Sequence, residues 1–518
     1  MSLDALRSPY ILAILVYLVG LTLVGVYKAR AVQDSADFMV AGRRLPWFIL
    51  VGTLLATWIG NGSLFGGVGL GYRNGLAGLW SSCGAWLGIV LVYTIAGRVR
   101  NFGQVTVPDI FQSRYGSLSG LLATVTTAIA YLTIVSYQFR GGGKVLSIVT
   151  KGEITPENGV IITALFAVAY TVLAGMLSVV YTDVVNGVLM LIGILTALFY
   201  MVGEVGGFSE VNRIASELGN TGFFAHWDLE SNSGGIGSGP VIAISFMVPT
   251  MMLLMGDANV YQRIFSAKNS GSARKAVFVW VFGVILLESS LSYLGLTGAA
   301  ADSKGLLGAT GDIPRLLADG SMNPAWRAFS EDVVPRVALS GLPTGLGMLL
   351  VATMMAVIVS TADSFLLVPA TNLTRDVYQR FIGQNAGERR IVLVSRAVIL
   401  VLGFVAFLLV EQFPTILAAA YTAYLIYGTS ITPSLLAAFL SKRVTSTGAV
   451  ASILTGAAVT ITWTFFLPAG TFQGKPLLEE VTFPAATLSI LALIVGSLLT
   501  RRPEEAVWKP FFVDRVEP

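Results

Sequence analysis

Charge is what this 518-residue sequence has least of. Asp, Glu, Lys and Arg make up 12% of it, against 54% hydrophobic residues. A soluble globular protein carries about a quarter charged residues. Half that density cannot clothe a chain of this length in water, which points to a polytopic membrane protein whose main surroundings are lipid. There is one cysteine, Cys83, so neither an intramolecular disulfide nor a cysteine-based zinc cluster can form. There is one histidine, His226, which excludes a HExxH metallohydrolase site and reads as a surface residue of an outer loop. An enzyme is not expected. The net charge is +4, and no basic run interleaves with aromatics, so nothing suggests a nucleic-acid partner. The opening MSLDALRSPYILAIL lacks a basic n-region and a small-residue cleavage site, and its apolar stretch reads as a retained first span.

Long apolar runs are what the chain has in quantity. A hydrocarbon core of roughly 30 Å needs about 20 apolar residues as a helix. Thirteen stretches qualify: 9–27, 47–72, 77–96, 119–147, 159–175, 180–203, 240–265, 276–299, 342–369, 391–411, 414–440, 446–468 and 483–500. Lys and Arg collect between alternate stretches, for example Arg43, Arg44, Arg98, Arg263, Arg274, Arg380, Arg389, Arg443 and Arg501. By the positive-inside rule the N-terminus is expected outside and the C-terminus inside. The outer loops 204–239 and 300–341 are rich in Gly, Ser and Pro, with short helical pieces at best. After Arg502 only a short tail remains, and no soluble domain is expected there.

Two of the stretches are interrupted. IGNGSLFGG (59–67) puts poor helix formers in the second, and LMGDANVYQR (254–263) puts Gly256, Asp257 and Asn259 well inside the seventh. Backbone groups freed in a membrane are tolerated only where they are buried in protein or line a cavity. Two breaks five helices apart suit a five-plus-five inverted repeat with its site at the midplane. The ninth stretch ends in VSTADSFL (359–366), where Ser360, Asp363 and Ser364 share a helix side with Thr361 at its flank. Hydroxyls alone can bond back to the preceding turn, but a carboxylate within a span calls for a function or a partner. Asp183, in YTDVVNG, is expected at a similar depth. Carboxylates and hydroxyls without His or Cys suit a hard cation, Na⁺ or H⁺, with hydroxyls favouring Na⁺.

Four motifs resemble, in order, those of the sodium/solute symporters, a family that includes sodium–galactose, sodium–proline, sodium–sialate and choline transporters. They are ADFMVAGRRLPWF (36–48), AYTVLAGMLSVVYTDVVNG (169–187), DANVYQRIFSAKN (257–269) and VSTADSFLLVPATNLTRDVYQRF (359–381). The resemblance implies an all-α, LeuT-type fold: an N-terminal span and inner loop over 1–46, a first five-helix repeat over 47–203, the outer loop 204–239, a second repeat over 240–440 carrying the loop 300–341, and two C-terminal spans with a short cytoplasmic tail over 441–518. It implies a sodium ion held by the backbone of Ala56, Ile59 and Val357 and by Ser360 and Thr361, and a second held by Asp183, Ser360, Asp363 and Ser364. The implied activity is sodium-driven import of a small polar organic solute across the cell membrane by alternating access. A proton-coupled carrier of the same fold and a solute-sensing membrane protein remain as alternatives.

The solute is expected between the two breaks, with Trp58, Asn61, Ser63, Asp257 and Asn259 as candidates. YQFRGGGK (137–144) adds Arg140, either as an anchor for a solute carboxylate or as a structural partner of Asp257 or Glu288, or snorkelling to the outer surface. TWIG and STADS resemble the choline branch. However, Ile134 and Asp257 stand where that branch carries aromatics, which argues against choline. Gly62 and Ser63 replace the amide and acidic side chains of the galactose carrier, so a sugar pocket is unsupported. Tyr421, Tyr424 and Tyr427 recur at helical spacing and read either as packing or as a gate.

Overall fold

A computed structural model describes residues 8–29, 34–218, 240–308, 313–315, 317, 323–467, 471–472 and 475–512. His226 and most of the loop 204–239 lie outside the described residues. Among the described residues the regular structure is helical, apart from an isolated bridge between Leu45 and Ala267. The main helices are α1 (Pro9–Ala29), α2 (Trp47–Trp58), α3 (Val68–Asn74), α4 (Leu79–Phe102), α5 (Val107–Tyr115), α6 (Ser117–Val149), α7 (Pro156–Val205), α8 (Pro240–Gly256), α9 (Ala258–Ser266), α10 (Ser270–Ser303), α11 (Thr344–Asn372), α12 (Glu388–Leu408), α13 (Ile416–Leu440), α14 (Ser446–Ile461) and α15 (Thr482–Leu498). Among the described residues ten helical runs are long and apolar enough to cross a membrane, and α2 and α15 are shorter apolar helices.

Each apolar stretch expected from the sequence falls on helix. One boundary differs. The stretches 159–175 and 180–203 are joined without a loop in α7, which turns at Gly175 (φ 69°, ψ 166°). A connection of that kind needs glycine, because other residues rarely adopt such a backbone. Phe38 packs over it, so a side chain at 175 would also meet the ring.

Two helices break where the sequence suggests. α2 ends at Trp58, Ile59 is extended (φ −73°, ψ 98°), and the chain resumes as an overwide turn over Gly62–Gly67 that leads into α3. α8 ends at Gly256, and Asp257 (φ −56°, ψ 111°) caps α9 by accepting from the Asn259 amide at 2.8 Å. The carbonyls freed at this second break are taken by hydroxyls. Tyr427 donates to Gly256 O at 2.8 Å and Tyr261 to Met255 O at 3.0 Å. The second break is buried, and at the first Ile59, Gly60 and Asn61 are buried between half-buried Trp58 and Gly62. The segment Gly62–Gly67 packs against α13 and α10, and α11 packs against α7, α6 and α2. Exposed large apolar side chains lie outward on α1, α4, α7, α12 and α15, the faces left to lipid.

Candidate functional site

The first break brings its carbonyls to the hydroxyls of α11. Ser360 Oγ lies 3.1 Å from Ala56 O and 3.3 Å from Val357 O, and Thr361 Oγ1 lies 3.3 Å from Ile59 O. All five residues are buried. The close approach depends on Gly60, where a Cβ would sit 3.0 Å from the Thr361 methyl and 3.1 Å from Gln138 Nε2. Without an ion the hydroxyls donate to these carbonyls. Ser360 Oγ is closest to Ala356 O, at 2.7 Å; turned about their C–O bonds, the two hydroxyls would offer lone pairs beside these carbonyls. That donor set suits a hard, weakly polarising cation and no transition metal.

The second expected set gathers as well, with a partner that the sequence reading placed elsewhere. Asp183 Oδ2 accepts from Thr53 Oγ1 at 2.6 Å and from Arg263 Nη2 at 3.0 Å. Ser364 Oγ accepts from Arg263 Nη2 at 2.8 Å and lies 3.5 Å from Thr57 Oγ1. Asp363 Oδ1 accepts from Ser364 Oγ at 3.3 Å. Arg263, counted among the inner basic residues of a connecting segment, is instead 1% exposed and inserted between α2, α7 and α11. A buried carboxylate in a span needs a counter-charge, and the guanidinium supplies it. Asp183 Oδ1 keeps a buried oxygen without a hydrogen bond. The signal for Arg263 was present in DANVYQR, an arginine one short helix beyond a break.

The solute candidates divide. Trp58 and Ser63 flank the first break and converge on Glu288 of α10, with Trp58 Nε1 donating at 2.9 Å and Ser63 Oγ at 3.4 Å. Trp86 of α4 donates to the other carboxylate oxygen at 3.0 Å. Asn61 is turned away and ties the break to α6 through Tyr137 O and Gln138 O, both at 3.2 Å. Asp257 caps α9 and accepts from Tyr131 Oη, and Asn259 lies 3.4 Å from Arg263 Nη1. Arg140 sits apart from the other candidates. Its guanidinium donates to the carbonyls of Phe413 and Pro414 at the foot of α13, and it meets neither Asp257 nor Glu288. The long side chain reaches from the interior of α6 to the carbonyls ahead of α13. Lys144 pairs with Asp332 at 2.8 Å. Of the tyrosines, Tyr427 satisfies the second break, Tyr421 donates to Ser81 Oγ at 2.6 Å, and Tyr424 stands over Gly62, whose Cβ would lie 2.5 Å from its hydroxyl.

A broken helix that offers carbonyls to a hydroxylated neighbour is the arrangement of an ion-coupled carrier. The family model described as "Sodium:solute symporter family" matches residues 38–456. The chain belongs to this family. The sodium/proline symporter of Haemophilus influenzae is 26% identical over 517 residues, covering 97% of each chain. The osmoregulated proline transporter OpuE of Bacillus subtilis is 26% identical over the same length and coverage. Among solved structures, a Na⁺-coupled sialic acid symporter in a substrate-bound outward-open state superposes with a TM-score of 0.78 at 17% identity, covering 95% of this chain and 98% of that one. A nucleobase-cation-symport-1 family transporter gives 0.55 at 12% identity, covering 92% and 97%. The symporter thus has a LeuT-type fold and is a multi-pass protein of the plasma membrane. It couples a solute to Na⁺ and is not an enzyme.

Proposed function

We propose that this symporter imports a small polar organic solute with Na⁺ by alternating access, and that the coupling ion is held by the carbonyls of Ala56, Ile59 and Val357 and the hydroxyls of Ser360 and Thr361. The observation that carries the ion site is the pair of short approaches across the first break, 3.1 Å for Ser360 to Ala56 O and 3.3 Å for Thr361 to Ile59 O. A cation there bridges two helices. It lowers the free energy only of states in which both helices close on it, which is how binding biases a conformational equilibrium. A second ion on Asp183, Asp363 and Ser364 would have to share Asp183 with Arg263, so the first cage is the stronger candidate. The repeats span 47–203 and 240–440. The N-terminus faces outward, on the distribution of Lys and Arg between spans.

The relatives named as proline transporters make L-proline the first solute to try. Arg140 donates to the carbonyls of Phe413 and Pro414, which supports its structural reading over a carboxylate anchor. The test is uptake of labelled L-proline into proteoliposomes under an inward Na⁺ gradient. The comparison is with K⁺ at the same pH, with and without an imposed proton gradient. Accumulation with Na⁺ alone supports the reading. Accumulation driven equally by a proton gradient in K⁺ would remove the sodium cage from it.

A further inference from the structure

We propose that the solute carries a positively charged nitrogen, and that Glu288 is the carboxylate that receives it, between the indoles of Trp58 and Trp86. This rests on the reading that the first break is the transport site.

Glu288 lies in the apolar run VFGVILLESSLSYL (281–294) and is 5% exposed. Its two oxygens are held by neutral donors only. Trp58 donates to Oε1 and Trp86 to Oε2, with Ser63 near Oε1 and Ser82 beside the group. Among the described residues no lysine or arginine pairs with it. Of the other buried acids nearby, Asp183 pairs with Arg263, whereas Asp257 caps α9 and Asp363 accepts from Ser364. A carboxylate kept at membrane depth without a counter-ion is costly, and such residues default to roles in the transport path. Glu288 is also in the right place. Trp58 is the last residue before the break and Ser63 opens the turn after it, so the carboxylate straddles the gap where the helix is undone. Trp58, Ser63, Ser82, Trp86 and Tyr424 around the acid are half-buried rather than closed off.

The donors indicate the charge of the guest. Too few oxygens surround the carboxylate to replace the hydration shell of a bare metal ion. An ammonium needs only the remaining lone pairs. The two indoles spend their edges on Glu288 and keep their faces, which attract cationic nitrogen. An anionic solute is repelled by Glu288, and a neutral polyol leaves its charge unbalanced. The predicted class therefore comprises amines, betaines and zwitterionic amino acids, and excludes sugars and simple carboxylates.

The test uses the purified full-length protein in a thermal-shift assay, in NaCl and in KCl. One group of probes is L-proline, glycine betaine and choline. The other is L-lactate, D-galactose and myo-inositol. A member of the first group is expected to raise Tm in NaCl, and no member of the second. Glu288→Gln should weaken that hit by about tenfold or more, as for loss of one partner of a buried charge pair. The rise in Tm caused by Na⁺ itself should survive in that variant. Trp86→Phe, which keeps a ring face, should retain most of the affinity. If Glu288→Gln does not fold, Glu288→Asp should still weaken the hit while leaving the Na⁺ response. The proposal is overturned by a hit confined to the second group, by no hit in the first, or by a first-group hit that either Glu288 variant binds as tightly as wild type. Absence of any Na⁺ response in wild type would strike the coupling reading instead. A first-group hit lost in Glu288→Gln would stand even then.

Discussion

Ser360 has three carbonyls within reach, and two of them belong to the proposed cage. Ser360→Ala removes one of the five oxygens proposed for the ion. The Na⁺ concentration for half-maximal uptake should rise about tenfold, as for loss of a hydrogen-bonding or charge-assisted contact worth 1.5–3 kcal/mol. Thr361→Val should act alike. Sodium titration of proline uptake, with protein amount controlled, checks both, and an unchanged titration in either variant would remove that hydroxyl from the cage. Asp183 behaves differently because its partner is a side chain. Asp183→Asn strands a buried guanidinium and should cost about 3–5 kcal/mol. Removing the charge of Arg263 in the same molecule, as Arg263→Gln, should restore much of the loss. Tm values for the two single variants and the double variant decide this. If the double variant is no better than Asp183→Asn alone, the pair is not what makes the site costly to disturb.

At the scale of elements, the breaks were legible because they are local. Gly60, Gly62 and Asn61 in sequence announce a weak helix, and so does Gly256 followed by Asp257, whatever lies opposite. The side of α11 that carries Ser360 and Thr361 was legible from helical geometry alone. DANVYQR places Arg263 one short helix beyond a break, but the roles of Arg263 and Glu288 were not legible, because each is defined by partners far along the chain. Nothing near residue 263 points to Asp183, and nothing near residue 288 points to Trp58 or Trp86. Which structural partners Arg140 takes was hidden for the same reason: a long side chain reaches whichever acceptors tertiary packing supplies. The sharp turn inside α7 was hidden in LAGML, where one glycine among apolar residues reads as ordinary packing. Gly175→Ala puts a Cβ 2.6 Å from the Phe38 ring and forces a backbone that alanine rarely adopts. A cost of about 1–3 kcal/mol for the backbone alone is expected. Wild-type thermal stability in that variant would mean that α7 runs on without the turn.

The whole molecule is tied at both ends. At the end expected outside, Glu331 is buried and accepts from the amides of Ile416 and Leu417 at 3.1 and 3.0 Å, while Lys144 approaches it at 3.8 Å and pairs with Asp332. Arg73 holds Ser330 and Arg140 holds the chain ahead of α13. At the other end Arg380 reaches Asp109 at 3.2 Å, and Arg43 donates to Gly103 O at 2.6 Å. A carrier that opens alternately must break one set while keeping the other. Glu331→Ala removes two hydrogen bonds at the N-terminus of α13, worth about 0.5–2 kcal/mol as a capping loss. It should shift the population toward the state open at that end.

Cys83 is half-buried on α4, next to Ser82 and within the electrostatic reach of Glu288. With no other thiol in the chain, the unmodified protein takes a single maleimide, and no cysteine-free background has to be made first. A thiol reagent therefore reads this one position beside Glu288. Bound solute should shield the sulfur, and loosening the Glu331 latch should speed its alkylation.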